Sequence, residues 1–276
     1  DARDKYSHLK MVIAVGAVMG LHGIYMVATG TPFAFGDILT YLPASLLYIL
    51  AMILGYAGLR YIELSVSSPI CNSSGALVAV LTLLFVGGED YSPLALFAVA
   101  LVCVGAIGLG VVDACEDETL RAQRQEAGKY KYAKSFLALA LPVAYCLLDA
   151  AGTFADNRVL ETLNEDSANV AYELTFLLAG ILCFMYVVLI KKDKLIPKME
   201  APKYTGAIFE TAGQFAYIYA IADTEHLAMS APIISAYCAA SVLWSRLFLK
   251  EKLSWKHYAM ILLVVIGIVI MGVFDM

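Results

Sequence analysis

The sequence predicts an all-α membrane protein built from two inverted repeats of five transmembrane helices, with nine spans visible in this chain. Three observations predict this fold class: an unusually apolar composition, a ladder of helix-length apolar segments, and an internal repeat. The chain is 61% hydrophobic and 16% charged, whereas an ordinary soluble domain is about 45–50% apolar and about 25% charged. The mean hydropathy of +0.76 agrees with a membrane protein.

The spans follow from the thickness of a bilayer. A helix needs about 20 apolar residues to cross about 30 Å of hydrocarbon. Windows of that length predict spans over residues 9–29, 38–63, 66–86, 94–113, 134–156, 168–190, 204–222, 226–248 and 256–274. The predicted organisation is a first repeat over 1–113, a cytoplasmic linker over 114–133 and a second repeat over 134–276.

The Lys and Arg residues are distributed almost entirely on one side of this ladder. Eighteen of the nineteen lie in the amino-terminal stub, at Arg60, and around 114–134, 191–203 and 246–256, and only Arg158 lies on the other side. Cytoplasmic loops collect Lys and Arg, so we expect these loops to face the cytoplasm. The loops at 31–36, 87–92, 157–167 and 223–225 are predicted to face outward. This pattern predicts a multi-pass protein of the bacterial inner (plasma) membrane.

Short motifs recur at a fixed distance along the chain. Ser67-Ser68-Pro69-Ile70 recurs as Ser230-Ala231-Pro232-Ile233, an offset of 163 residues. Repeats with an odd number of spans have opposite orientations and enclose a cavity, an architecture typical of transporters. The counterpart of the span at 134–156 would precede Asp1, so we expect a tenth helix there, with a natural nine-span protein as the alternative. Pro69 and Pro232 each remove a helical hydrogen bond and are predicted hinges.

The carboxyl-terminal part of the chain resembles a known family. The stretch from Ala231-Pro232 to Leu249-Lys250-Glu251-Lys252-Leu253-Ser254, followed by a Gly-rich last helix, is similar to the drug/metabolite transporter superfamily, EamA-type branch. The first half departs from that pattern at residues 84–90, which lack the basic turn. The resemblance implies a ten-helix secondary carrier that moves small metabolites by alternating access, and its motifs name no substrate.

Ionisable side chains inside a span cost about 2.5–3.5 kcal/mol each on insertion scales, so each is a candidate functional residue. Glu210 lies near the middle of its span, Asp149 slightly to the outer side and Glu173 farther out. Two polar stripes at helical spacing run from Glu210 and from Asp149, and they would line a cavity if they faced each other. One stripe contains Glu210, Gln214 and Tyr217, and the other contains Tyr145, Asp149 and Asp156. The predicted substrate-binding residues are Glu210, Gln214, Asp149, Glu173, Tyr217, Tyr145 and Asn72.

The chemistry of buried carboxyl groups narrows the range of possible substrates. Burial disfavours the charged form, which suits uptake and release of a proton. When ionised, the same groups attract an ammonium or guanidinium group, and Tyr217, Tyr145 and Phe209 could add cation–π contacts. The expected substrate is a small amino-acid-like, amine or other cationic or zwitterionic solute. Proton coupling and a homodimer are left open, and we expect no cofactor, metal or nucleic-acid partner.

Several of these residues also have a structural interpretation. Glu173 could be a helix-end acid stabilised by the helix dipole, Asp156 is interpreted as a solvated boundary residue, and His22 as a packing histidine. Asn72 either satisfies carbonyl groups freed near a proline or contributes to a hinge or a ligand contact. Gly16, with Gly20 one turn later, predicts close helix packing.

Other classes of protein are less compatible with the sequence. Asn72-Ser73-Ser74-Gly75 comes near the Gly-x-Ser-Gly setting of an intramembrane serine protease, but Cys71 and Asn72 stand where the upstream glycine should be. The sequence has no HExxH motif of a metalloprotease. The chain is therefore not predicted to be an enzyme. An intramembrane enzyme remains an alternative, as does a channel, which would need a continuous polar file.

Overall fold

A computed structural model describes residues 4–62, 64–85, 92–115, 119, 122, 136–222, 227–249 and 253–273. Within these ranges every regular element is a helix. The segment predicted as the first repeat contributes α1 to α5, which are Ser7–Ala28, Phe35–Gly58, Leu64–Asn72, Ser74–Phe85 and Pro93–Ala114. The second contributes α6 to α11, which are Phe136–Leu160, Glu165–Phe184, Pro197–Ala222, Leu227–Ser235, Tyr237–Trp244 and Trp255–Val273. π-Helical turns over Met185–Ile190 and Ser245–Leu249 extend α7 and α10.

All nine predicted spans are helical over most of the residues that the structure describes, and the all-α membrane fold class is confirmed. Five segments of the described chain are long and apolar enough to cross a membrane: Ser7–Ala28, Phe35–Gly58, Ser67–Phe85, Pro93–Val112 and Glu165–Ile190. Pro232–Phe248 and Trp255–Ile270 are shorter apolar helices. Helices α6 and α8 are continuous, and they carry the acidic residues Asp149, Asp156 and Glu210 within their length.

Three predicted boundaries are wrong. The outward loop at 157–167 is shorter, because α6 continues to Leu160 and α7 begins at Glu165. The loop at 191–203 is partly helical from Pro197, and the second span ends at Gly58. Polar residues at a helix end lower the mean hydropathy of the sequence window, so the predicted span ends too early. In the structure such residues can still lie within the helix and bond to a neighbouring helix. Asn157 Nδ2, for example, donates a hydrogen bond of 2.9 Å to the carbonyl oxygen of Ile221.

Several predicted segments lie largely or wholly outside the described residues. They are the linker 114–133, the loops 87–92 and 223–225, and Lys250 to Lys252 of the family-like motif.

The helices form two compact units, and each unit takes helices from both repeats. The first unit contains α1, α2, the end of α6 from Ala151, α7 and α8. The second unit contains α3 to α5, α6 up to Ala150, and α9 to α11. In the first unit α1 packs on α7 and α8, and α2 packs on α7; in the second, α5 packs on α11, and α9 on α4.

The helix bounds repeat with the offset found in the sequence. Adding 163 to the bounds of α3, Leu64–Asn72, gives those of α9, Leu227–Ser235. The same offset moves α2 to within one residue of α8 at each end. The two halves therefore have the same succession of helices, as an inverted repeat requires.

Equivalent helices of the two repeats cross at glycines, and each crossing is nearly symmetric. A methyl group added to Gly16 in α1 would lie 2.6 Å from the carbonyl oxygen of Phe176, and one added to Gly180 in α7 would lie 3.3 Å from that of Val12. In the second unit, Gly105 and Gly267 approach the backbone of α11 and α5 in the same reciprocal way. The close packing predicted for Gly16 is confirmed, because only a residue without a side chain permits this approach.

The proline-marked span of each repeat is broken four residues after its proline. The amide nitrogen of Ser73 lies within hydrogen-bond distance of the carbonyl oxygens of Pro69 and Ile70, at 3.1 and 3.3 Å. Ala236 repeats this shared bond with Pro232 at 2.9 Å and with the next residue, Ile233, at 3.2 Å. The two predicted hinge positions therefore mark real interruptions that divide α3 from α4 and α9 from α10.

A buried ionic cluster closes one end of the first unit. Lys10 Nζ lies 3.1 Å from Asp4 Oδ2 and 3.3 Å from Asp193 Oδ1. Lys203 Nζ lies 2.8 Å from Glu200 Oε2 and 3.7 Å from the same Asp4 oxygen. The amino-terminal stub and the basic segment before α8 therefore meet at one end of this unit, as the distribution of Lys and Arg predicts.

Candidate functional site

Glu210 occupies the middle of α8 and is half-buried. The hydroxyl group of Tyr56, near the end of α2, donates a short hydrogen bond to Glu210 Oε1. No Lys, Arg or His of the described chain forms an ion pair with this carboxylate. Glu210 is thus an acidic group inside a span that is stabilised in part by one hydroxyl group, and its second oxygen has no hydrogen-bond partner among the described residues.

The predicted stripe on α8 continues through Gln214 and Tyr217. Gln214 follows Glu210 by one turn, and its Nε2 atom is buried with no acceptor among the residues that the structure describes. Tyr217 OH lies 2.6 Å from Thr153 Oγ1 of α6 and 3.3 Å from Tyr48 OH of α2. This face of α8 therefore carries an acceptor, an unsatisfied donor and a hydrogen-bonded phenol in succession. By contrast, Phe209 is 74% exposed, so its ring points away from the packed face.

Asp156 is not the solvated boundary residue that the sequence suggested. It is fully buried, and its Oδ2 accepts a hydrogen bond of 3.1 Å from Tyr48 OH. The interpretation was wrong because Asp156 stands near the polar end of α6, where only the packing of α2 and α8 excludes water. Tyr48 and Thr153 were missed for the same reason, although Tyr41, Ser45 and Tyr48 follow each other at helical spacing on α2 and are all buried.

Glu173 is not a helix-end acid either. It lies in the third turn of α7, is 2% exposed, and its carboxylate oxygens lie 2.7 and 3.0 Å from His22 Nδ1 of α1. His22 also packs edge-to-face on Phe215, with ring centroids 5.4 Å apart. His22 is therefore a satisfied histidine, as expected, and it engages one of the predicted binding carboxylates.

The second unit holds its own carboxylate beside the two helix breaks. Asp149 Oδ2 accepts a hydrogen bond of 2.7 Å from Ser74 Oγ, the first residue of α4. Asn72, the last residue of α3, donates from Nδ2 to the carbonyl oxygen of Ser68 at 2.8 Å, which agrees with its role in satisfying backbone groups near Pro69. Tyr237, the first residue of α10, interacts with Asn72 and lies near Asp149. Both breaks thus bring polar groups to one carboxylate.

The second predicted stripe, Tyr145, Asp149 and Asp156, is divided between the units. Tyr145 is half-buried one turn before Asp149 in the second unit, whereas Asp156 belongs to the first. The structure therefore links Tyr217 to Asp156 through Tyr48, and Asn72 to Asp149 through Tyr237.

The fold defines the class of protein: a multi-pass, all-helical membrane protein with repeated halves. Residues 139–273 match the EamA-like transporter family, and the predicted resemblance to the EamA-type branch of the drug/metabolite transporter superfamily is confirmed. Proteins of this family transport small solutes across membranes. The match covers the second repeat, in which Glu210 and Asp149 lie.

Comparison with known structures supports the same fold. A protein of known crystal structure shares it with a TM-score of 0.62 and 11% sequence identity, over 98% of this chain and 88% of the other. At that identity the likeness concerns the fold alone. No curated protein matches the sequence to a significant degree.

Proposed function

We propose that this protein is a secondary carrier that moves a small zwitterionic or cationic metabolite by alternating access, in exchange for protons. Glu210 binds the ammonium group of the substrate. The observation that carries this proposal is a half-buried carboxylate in the middle of a span with a hydroxyl partner and no ion pair among the described residues.

The energetics of such a group favour a cationic ligand. An ionised carboxylate inside a span is costly unless it is paired. The Tyr56 hydroxyl group compensates part of that cost through one oxygen. A substrate ammonium group would compensate the rest and would gain a charge-assisted hydrogen bond, which is about twice as strong as a neutral one.

Gln214 supports an amino-acid-like substrate over a simple amine. Its buried Nε2 donor lies one helical turn from Glu210 and lacks an acceptor in the described chain. A buried donor without an acceptor costs about 1–3 kcal/mol, and a substrate carboxylate would supply that acceptor. Glu210 and Gln214 would then bind the two charged ends of one zwitterion.

The remaining predicted residues have unequal parts in this proposal. Asp149, with Asn72 and Tyr145 nearby, is a second acidic position for substrate and stands beside the two helix breaks. Tyr217 lies on the same face of α8 as Glu210. The carboxylate of Glu173 is already engaged by His22, so we assign it to the packing of α1 on α7.

A thermal-shift screen of amino acids, amines and nucleosides on the purified protein tests the binding site. A ligand at 100 times its Kd stabilises a protein by about 2.7 kcal/mol, and we expect an amino acid or amine to do so. In Glu210→Gln the affinity should fall at least about tenfold, equivalent to about 1.4 kcal/mol. The matched control is Glu161→Gln, which changes an exposed acid paired with Arg158. An equal ligand shift in Glu210→Gln and the wild type would contradict the assignment.

Counterflow in proteoliposomes tests the transport mode. A carrier that alternates between two states accumulates labelled solute against an excess of the same unlabelled solute inside, and a channel does not. We expect accumulation of the ligand found in the screen, together with alkalinisation or acidification of the lumen during net transport. Passive equilibration without accumulation would favour the channel alternative.

A further inference from the structure

A second carboxylate of the first unit has surroundings unlike those of Glu210. Asp156 is fully buried, and one of its oxygens accepts a hydrogen bond from Tyr48. The other oxygen, Oδ1, is buried and makes no direct hydrogen bond to the described residues, and the Tyr41 hydroxyl group interacts with this carboxyl group at longer range. A carboxylate with one unsatisfied oxygen is an expensive group to keep ionised in an interior.

The groups that face Asp156 are phenols and a hydroxyl. Helix α2 contributes Tyr41 and Tyr48, α7 contributes Tyr172 packed edge-to-face on both, and α8 contributes Tyr217. No Lys, Arg or His interacts with Asp156 in the described part of the chain. A buried carboxyl group without a cation is stable when it carries a proton, because the neutral form has far less desolvation cost.

The hydroxyl groups near Asp156 form a chain that leads to the face of α8. Tyr48 OH lies 3.1 Å from Asp156 Oδ2 and 3.2 Å from Thr153 Oγ1. Thr153 Oγ1 lies 2.6 Å from Tyr217 OH. The single hydrogen of Tyr48 has two acceptors at nearly equal distance, so it can turn from one to the other. Tyr217 is half-buried and follows Glu210 and Gln214 on the same face.

We propose that Asp156 is the residue that carries the exchanged proton, and that Tyr217, Thr153 and Tyr48 conduct this proton between Asp156 and the substrate face of α8. The inference rests on the proposed function, and it assigns proton transfer and substrate binding to different carboxylates. Glu210 binds substrate, and Asp156 holds the proton.

The transfer conserves atoms and charge. A proton that reaches Tyr217 OH displaces the hydrogen of that hydroxyl to Thr153 Oγ1, the hydrogen of Thr153 moves to Tyr48 OH, and the hydrogen of Tyr48 moves to Asp156 Oδ2. One proton enters at Tyr217 and one appears on Asp156, while each hydroxyl ends with one hydrogen. Release reverses the same sequence.

A sodium ion is the competing occupant of this cluster, and the distances favour a proton. Hard cations need several oxygen ligands that direct lone pairs toward them. Here the oxygens of Tyr48, Thr153 and Tyr217 lie 2.6–3.3 Å from one another and bond among themselves. This arrangement suits a hydrogen-bonded relay better than an ion cage.

Infrared titration of the purified protein tests the proposal without a ligand. A protonated carboxyl group has a carbonyl stretch separated from the bands of the backbone and of carboxylates. We expect one such band that disappears between acidic and alkaline pH in the wild type and is missing in Asp156→Asn. The control Glu173→Gln should keep it. A spectrum of Asp156→Asn with every protonated-carboxyl band of the wild type would overturn the proposal, and it would leave substrate binding at Glu210 untouched.

A second variant tests the relay and remains informative if Asp156→Asn does not fold. Tyr48→Phe keeps the ring and removes the hydroxyl group, so the band should remain but respond to a pH jump at least about tenfold more slowly, equivalent to about 1.4 kcal/mol in a barrier. Tyr25→Phe changes an exposed tyrosine of α1 and should respond as the wild type does. An unchanged response in Tyr48→Phe overturns the relay. If NaCl abolishes the band at constant pH and choline chloride does not, Asp156 binds a sodium ion and the assignment of a proton is overturned.

Discussion

The crossing of α1 and α7 leads to a quantitative prediction for Gly16→Ala. The new methyl group would lie 2.6 Å from the carbonyl oxygen of Phe176 and 3.0 Å from the Cα of Gly180, whereas ordinary contacts begin at 3.4 Å. The shortfall of 0.8 Å is against backbone atoms, which cannot rotate away. Overpacking of this kind costs about 1–3 kcal/mol, and alanine regains about 1 kcal/mol of helix propensity. The difference is a net loss of up to about 2 kcal/mol, and the shortfall against backbone atoms puts Gly16→Ala near the upper end of that range.

The matched control is Gly213→Ala in α8, because a methyl group there has no neighbour within 4 Å in the described chain. Propensity alone should stabilise this variant by about 0.5–1 kcal/mol. Unfolding by SDS in mixed micelles, followed by far-ultraviolet circular dichroism, measures both. Tryptophan fluorescence is unsuitable, because Trp244 and Trp255 both lie in the second unit. A Gly16→Ala protein as stable as the wild type would refute the close backbone contact between the two helices.

Two further predictions concern the hinges and the ionic cluster. Pro69→Ala and Pro232→Ala restore a backbone donor one turn before each helix break, so counterflow should slow about tenfold, equivalent to about 1.4 kcal/mol of barrier. Pro43→Ala in the unbroken α2 should leave the rate unchanged, and equal rates in all three variants would argue against hinges. Burial by itself raises the pKa of Asp4. The hydrogen bonds from Lys10 and from the backbone of Tyr6, together with the charges of Lys10 and Lys203, outweigh that effect and hold the pKa below its usual value of 3.8. The ionised form therefore stabilises the fold above pH 3.8, and this contribution is lost as the pH falls through the lowered pKa. Asp4→Asn should cost about 1.5 kcal/mol at pH 7 and much less at pH 3, and an equal cost at both pH values in the same SDS assay would contradict this origin.

Much of the fold is predictable from local patterns. Apolar windows locate every described helix, because the bilayer requires about 20 residues per span whatever the neighbours are. The prolines at 69 and 232 each lie one turn before a helix break, since proline disturbs a helix within about one turn of its own position. The repeat predicts that α2 and α8, like α3 and α9, are equivalent.

The candidate site is only partly predictable. Glu210 stands out because an acid in the middle of an apolar span is costly wherever the helix packs. Asp156 does not stand out, because a side chain near the end of α6 can be either solvated or buried. It is buried in the structure because Tyr48 of α2 packs against it and donates a hydrogen bond to it. The pairing of Glu173 with His22 likewise depends on the approach of α1 to α7 at their glycines.

The amino-acid sequence alone determined that this chain is a helical membrane protein with repeated halves, where its spans lie and where they break. These properties depend on hydropathy, on helix length and on proline, all of which act within one segment. Only the tertiary structure decided that each compact unit combines helices from both repeats and which carboxylates are enclosed by hydroxyl groups. Those properties depend on contacts between residues more than 100 positions apart, such as Tyr48 with Asp156, and no local pattern specifies such contacts.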